Sequence, residues 1–113
     1  MTLKSSTITR AKAVTKLSPI HPGEVLVEEF LRPLGLSGPD LAKGIRVPTR
    51  RVAEIRSGRR GITPDVALRL GRYFRVSAEF WMNLQQRYDL ECLRDRLDAE
   101  LKAGIRPLRR RAA

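Results

Sequence analysis

Arginine side chains crowd residues 47–61, whose sequence VPTRRVAEIRSGRRG carries five arginines and one glutamate. Within this stretch Val52 and Ile55 lie three positions apart, which is the spacing of the buried side of a helix. Two interpretations fit such a pattern: a solvated surface helix, or a helix laid against a densely anionic partner. Guanidinium groups bind phosphates and can present paired donors to guanine, so the second interpretation points to nucleic acid.

The whole chain shares this basic character. Its 113 residues include 23 Lys and Arg against 12 Asp and Glu, a formal net charge of +11. Solubility alone requires a net charge of magnitude roughly 2–8 in a small domain, and a basic excess on one face is typical of proteins that bind polyanions. Readers of single-stranded RNA expose stacking aromatic side chains, whereas the few aromatics here lie at helical core spacing. The sequence therefore favours double-stranded DNA as the partner.

Several other classes of function find no support in the residues. With one histidine, His21, and one cysteine, Cys92, neither an intramolecular disulfide nor a zinc site is expected. No nucleophile–base pair or paired carboxylates can be defended, so we expect no catalytic residues, no metal and no cofactor. His21 is predicted to be structural and Cys92 to be a small apolar residue. No signal peptide and no membrane span is visible, so a cytoplasmic protein without a membrane partner is expected.

Helix-start and helix-stop residues divide the chain into five helices and predict an all-α domain. No strand-like alternation appears. Capping residues and prolines begin helices, and glycine ends them. The predicted starts are at Pro22, Ser37, Pro48, Thr63 and Ser77, and the predicted stops are at Gly35, Gly44, Gly58 and Gly104. The inward residues predicted for the first helix are Val27, Phe30, Leu31 and Leu34.

Composition also divides the chain into three regions. Residues 1–18 carry cations and no acid and have sparse apolar residues, so they are predicted to be a flexible basic arm. Residues 19–103 hold the five helices, of which the last is long. Residues 104–113 are predicted to be a basic tail.

Helices two and three together predict a helix-turn-helix unit. Ala42 is small enough for another helix to approach closely, a tight turn follows, and Val52 and Ile55 provide the buried side of helix three. In such a unit the second helix enters the major groove with its N-terminal residues against the base edges.

The outward residues of helix three therefore acquire predicted roles. Thr49, Arg50 and Glu54 lie opposite the apolar side and are predicted to contact bases, with Arg50 bidentate to guanine and Glu54 accepting from cytosine. The flanking cations are predicted to contact phosphates, which positions the protein without reading sequence. These cations are Arg51, Arg56, Arg59, Arg60 and, on helix two, Lys43.

These motifs resemble a known family. The segments that carry the resemblance are IHPGEVLVEEFLRPLGLS and LAKGIRVPTRRVAEIRSGRRGITPDVALRLGRYFRVSAEFWMNLQQRYDLE, and it covers roughly residues 20–97. They closely resemble the HigA-type antitoxins of the Cro/repressor (XRE) helix-turn-helix class. The resemblance implies a five-helix, repressor-like, dimeric domain that binds an inverted repeat in its own operon promoter. It also implies neutralisation of a partner toxin of the HigB type, a small basic RelE-like ribonuclease that cleaves mRNA on the ribosome.

One position departs from the family pattern. The turn between helices two and three usually has a glycine where Arg46 stands, and a non-glycine residue at positive φ is uncommon. Either the turn is rearranged, or Arg46 accepts modest strain and adds a phosphate contact. Arg46 is therefore included among the predicted DNA-contacting residues.

The two ends of the fifth helix are predicted to pack against different partners. Phe80, Trp81 and Leu84 are expected to pack on the domain core. The distal apolar residues extend beyond what four short helices can cover, and a two-fold dimer seam is favoured over packing on the chain's own core. These residues are Leu90, Leu93, Leu97 and Leu101. A dimer predicts two half-sites with centres ~34–36 Å apart on DNA.

Two alternatives to the antitoxin hypothesis remain open at this level. The chain could be a stand-alone helix-turn-helix repressor without a toxin partner, which a neighbouring toxin gene would distinguish. It could instead be an interaction module whose basic charge serves an acidic protein or RNA. The residues do not locate a toxin interface, since both the N-terminal arm and the outer face of the fifth helix are candidates.

Overall fold

Five helices form the part of the protein that a computed structural model describes, residues 18–109. Most of the predicted arm, residues 1–17, and the last four residues of the predicted tail lie outside the described residues. The helices are α1, which runs through Pro22–Val25, Leu26–Leu31 and Arg32–Leu34; α2, Gly38–Ile45; α3, Thr49–Arg56; α4, Pro64–Phe74; and α5, Ala78–Gly104. The described residues contain no strand, which confirms the all-α prediction.

Hydroxyl caps begin three of these helices where the sequence predicted them. Ser37 accepts a hydrogen bond from the Asp40 N–H, and Thr63 and Ser77 cap α4 and α5 in the same way. Such caps satisfy backbone donors that have no partner inside the helix. The helix boundaries are therefore set locally.

The first helix departs from the predicted periodicity. Its middle part, Leu26–Leu31, is a π-helix, and the Arg32 N–H donates to the carbonyl of Val27, five residues earlier. This wider turn directly precedes Pro33, whose ring would clash with the carbonyl four residues before it in an ordinary α-helix. The extra residue rotates the apolar pattern, so Leu26 is buried while Leu34 is 60% exposed. The prediction that Leu34 faces the core was wrong for this reason.

Trp81 lies at the centre of the core with none of its surface exposed. Three phenylalanines surround it, one from each of α1, α4 and α5; the ring centroid of Phe30 lies 4.9 Å from that of Trp81, and Phe80 lies at 5.1 Å. Phe80 and Leu84 are partly buried against the core, as predicted. This cluster joins the long fifth helix to α1 and α4, and α2 and α3 pack beside it.

None of the helices in residues 18–109 combines the length and apolar character that crossing a bilayer requires.

Candidate nucleic-acid interface

The third helix has one buried side and one open side. Val52 and Ile55 are 1% and 2% exposed, and they fix α3 against the domain. Thr49 and Arg50 are exposed on the opposite side, as predicted. Ala53 is exposed on that side too, and sequence reasoning did not single it out. A small side chain between two longer ones would let the helix axis approach a groove closely, and alanine can contact a thymine methyl.

Glu54 occupies the middle of the open side as the partner of two arginines. Its carboxylate accepts a hydrogen bond from Arg60 Nε at 2.7 Å, and Arg50 Nε lies 3.4 Å from its other oxygen. The Arg60 hydrogen bond, helped by the charges of Arg60, Arg50 and Arg59, lowers the pKa of Glu54 below its ordinary value. The carboxylate therefore holds two guanidinium groups in place around the start and the end of α3.

The residues after α3 fold back over its last turn. Gly58 takes a left-handed φ of 82°, and the backbone N–H groups of Arg59 and Arg60 both donate to the carbonyl of Glu54. The Arg59 side chain donates from Nε to the Ser57 hydroxyl at 3.2 Å. Both arginines are exposed, so this loop presents cations next to the open side of α3.

The remaining predicted cations surround the same helix. Arg51 is half-buried at the side of α3, and Lys43 is exposed on α2. Arg56 is exposed and lies across the start of α2, where a Cβ added to Gly38 would come 2.5 Å from its Nη1. The structure thus brings the predicted phosphate-contacting residues to the two edges of α3, while Arg50 and Glu54 share its open side.

Arg46 adopts the left-handed backbone conformation that the family's usual glycine would take at this position. Its φ of 59° and ψ of 50° end α2, and its N–H donates to the carbonyl of Ala42. The turn has therefore kept the glycine-like geometry, and Arg46 accepts the strain, with its side chain exposed. A second non-glycine residue, Arg75, takes the same conformation after α4, which the sequence analysis did not predict.

Contacts from other helices fix α3 from behind. A Cβ added to Gly23 would lie 1.9 Å from the carbonyl oxygen of Ile55, so the start of α1 rests directly on the last turn of α3. His21 caps α1 by accepting from the Gly23 N–H through Nδ1 at 2.8 Å, and its ring packs edge-on against Tyr88. Burial lowers the pKa of His21. The prediction of a structural histidine is confirmed.

Two polar anchors of this region were missed by sequence reasoning. Arg69 of α4 donates through Nη1 to the carbonyls of Ile45 and Arg46, at 2.9 and 3.3 Å. Gln85 of α5 accepts from the Ile62 N–H at 2.7 Å. The only local signal for Arg69 is Asp65, four residues earlier, which accepts from its Nε. No local signal pointed to Gln85.

The distal part of α5 leaves the core. Leu90, Leu93 and Leu101 are 49%, 42% and 43% exposed, and Leu97 is half-buried. These four leucines thus form a stripe that the other residues between 18 and 109 leave largely open. No group of three or more potential metal ligands occurs among the described residues.

The chain is similar to several named proteins. It is 51% identical over 76 residues to virulence-associated protein I of Dichelobacter nodosus, covering 67% of this chain and 70% of that protein. It is 36% identical over 95 residues to antitoxin HigA-1 of Vibrio cholerae, covering 83% and 88%. Among solved structures, that of Pseudomonas aeruginosa antitoxin HigA with the higBA promoter is similar at a TM-score of 0.78 and 44% identity, over 80% of this chain and 99% of that one. No protein-family model matches the chain.

Proposed function

This chain belongs to the HigA family of helix-turn-helix antitoxins, and from that premise we propose that it is a DNA-binding autorepressor that also neutralises a toxin. The operator would be an inverted repeat of double-stranded DNA in its own promoter. The toxin would be a RelE-like, mRNA-cleaving ribonuclease of the HigB type. This function is binding rather than catalysis, and it places the protein with the chromosome in the cytoplasm.

The observation that carries the DNA-binding proposal is the open side of α3. Thr49, Arg50 and Ala53 are exposed there and Glu54 is half-buried, whereas Val52 and Ile55 on the opposite side are buried. Cations flank both edges of α3, and all of them except the half-buried Arg51 are exposed. We assign base contacts to Thr49, Arg50 and Glu54, and phosphate contacts to the cations at the edges. These cations are Lys43, Arg46, Arg51, Arg56, Arg59 and Arg60. The capping box at α2, where Ser37 and Asp40 bond each other's N–H, places a carboxylate at that helix end. Pro48 at the start of α3 offers no such side-chain cap, so the N-terminus of α3 is the better phosphate site.

A homodimer matches an inverted repeat, because a two-fold protein presents one recognition helix to each half-site. We assign the dimer seam to the stripe formed by Leu90, Leu93, Leu97 and Leu101. Its exposed apolar surface supports this assignment, since such a stripe is best explained by burial against a partner.

The test of autorepression is a footprint of the purified protein on DNA upstream of its own gene at low and moderate salt. We expect a protected palindrome that persists at moderate salt while random DNA is released. Arg50→Ala should weaken operator binding and relax the preference for operator over random DNA. An equal loss on both DNAs would show that Arg50 contacts only phosphate. Uniform, salt-labile protection by the wild-type protein would refute sequence-specific repression.

A stand-alone repressor without a toxin is the alternative function. Translation with purified ribosomes separates the two: the product of an adjacent small basic reading frame should cleave mRNA, and this protein should suppress the cleavage. If no such product is found and operator binding is intact, the protein would be a stand-alone repressor.

A further inference from the structure

Arg69 contacts the turn of the helix-turn-helix unit from a helix outside that unit. It belongs to α4, yet its Nη1 donates to the carbonyl oxygens of Ile45 and Arg46, at 2.9 and 3.3 Å. Asp65, one helical turn earlier on α4, accepts from its Nε and so fixes the plane of the guanidinium. One cation thus joins the end of α2 to the middle of α4.

The two carbonyls that it meets need such a partner. The last carbonyls of a helix have no intrahelical donors and form the negative end of the helix dipole. At this end the chain also takes a left-handed conformation at Arg46, which is unfavourable for a residue with a Cβ. A guanidinium that bonds the carbonyls on both sides of the Arg46 N–Cα bond favours this conformation over its alternatives.

A second contact joins the same two helices. Tyr73, one turn after Arg69, packs on Gly44, where an added Cβ would come 2.5 Å from the ring. The helix α4 therefore contacts the end of α2 at two points, one polar and one apolar. Val47, three residues after Gly44, then leads into α3 through its N–H bond to the carbonyl of Ala42.

We infer that Arg69 is a positioning residue for DNA reading: it holds the turn in its left-handed form at Arg46 and so sets the angle at which α3 meets the groove. This inference rests on the proposed function and deepens it. Arg46 is able to stand at a position suited to glycine because Arg69 supports the strained turn.

Two other roles for Arg69 predict different behaviour. A phosphate contact would lose affinity equally for operator and random DNA on mutation, and the salt dependence would fall by about one ion. A surface ion pair with Asp65 would leave DNA binding unchanged. A positioning role predicts loss of the operator preference, with little effect on random DNA.

The experiment compares Arg69→Gln and Arg69→Lys with Arg72→Gln as a matched control. Arg72 is exposed on the same helix, and within residues 18–109 it makes no side-chain hydrogen bond or ion pair. Titrations with operator and random duplexes give the ratio of the two affinities at several salt concentrations. Hydrogen exchange of the Val47 amide, measured on the free protein, reports on the turn without DNA.

For Arg69→Gln we expect the exchange rate of the Val47 amide to rise about tenfold and the operator preference to fall about tenfold. A factor of about ten corresponds to the free-energy cost of holding one non-glycine residue in the left-handed conformation. Arg69→Lys should lie between this variant and the wild type, since lysine retains the charge without the planar fork. Adding Arg46→Gly to Arg69→Gln should restore most of the preference, because glycine takes the left-handed conformation without strain. Rescue is measured by the ratio of the affinities for operator and random DNA, because the charge that Arg46→Gly removes affects binding to both DNAs.

Unchanged exchange and an unchanged preference in Arg69→Gln would overturn the inference, as would equal loss on both DNAs or an equal effect of Arg72→Gln. Failure of the double variant to regain preference would refute the link to Arg46. A wild-type protein that does not distinguish operator from random DNA would overturn the proposed function and the DNA-reading role together. Exchange at Val47 would still decide whether Arg69 holds the turn.

Discussion

Gln85→Leu is the substitution that best tests how the link after the recognition helix is held. Gln85 is 9% exposed, and its side-chain oxygen accepts from the N–H of Ile62, which is 3% exposed. Its amide nitrogen donates to Asp89 at 2.9 Å. A Cβ added to Gly61 would lie 3.0 Å from the Gln85 amide, so the link and the side chain are in close contact. Leucine has a similar volume and keeps water out of this space, but it cannot accept a hydrogen bond.

The expected cost follows from the donor that is left without a partner. A buried backbone N–H that loses its acceptor costs about 1–3 kcal/mol. The bond to Asp89 adds little, because that carboxylate is exposed and can be solvated by water. In a domain of this size 1 kcal/mol corresponds to roughly 4–8 °C in Tm, so a fall of about 4–24 °C is expected.

Thermal unfolding followed by circular dichroism at 222 nm measures this difference. Gln86→Leu is the matched control, since it makes the same change one position later at an exposed site. Surface substitutions of this kind usually change stability by no more than about 0.5 kcal/mol. Equal Tm values for the two variants would show that Gln85 does not anchor the link.

Three further results are expected. Leu97→Glu should halve the mass measured by light scattering while Ala99→Glu leaves it unchanged; an unchanged mass in Leu97→Glu would remove the proposed seam. Glu54→Gln should raise affinity for random DNA and lower the operator preference, since it removes the negative charge from the open side of α3; duplex titrations check this, and an unaltered preference would contradict a reading role. Burial lowers the pKa of His21 in the folded protein below its ordinary value of 6.5, and protonation of its ring removes the acceptor of the Gly23 N–H. The stability that neutral His21 contributes should therefore be complete above pH 6.5 and should fall as the pH drops below that value. Melts from pH 8 to pH 5 should show a smaller fall in His21→Asn, and equal falls in the two proteins would contradict the linkage.

The parts of this fold that were predictable from the sequence are those that depend on neighbours in the chain. Ser37, Thr63 and Ser77 each cap a helix by bonding the N–H three residues later, so a local pattern is sufficient to find them. The buried side of α3 follows equally from the spacing of Val52 and Ile55. The DNA-contacting assignments on its open side remain predictions.

The parts that were missed depend on contacts across the chain. Arg69 and Ile45 are 24 residues apart, and Gln85 and Ile62 are 23 residues apart, so no window of local pattern holds both partners. The π-turn of α1 is a different case: a proline inside a helical pattern can end the helix or be accommodated by a wider preceding turn, and at Pro33 the preceding turn is wider, which exposes Leu34. Propensity alone does not decide between these two responses to a proline.

These distant contacts explain how a helix as short and as basic as α3 can be held rigidly. Eight residues form a marginal helix in isolation, and only two of them are buried. The preceding turn is held by Arg69 of α4, the last turn by Gly23 of α1, and the following link by Gln85 of α5. Three other helices thus support the segment from behind. The arginines around its open side are consequently not needed to hold α3 in place, and Arg50 and Arg60 contact the Glu54 carboxylate instead of the domain core.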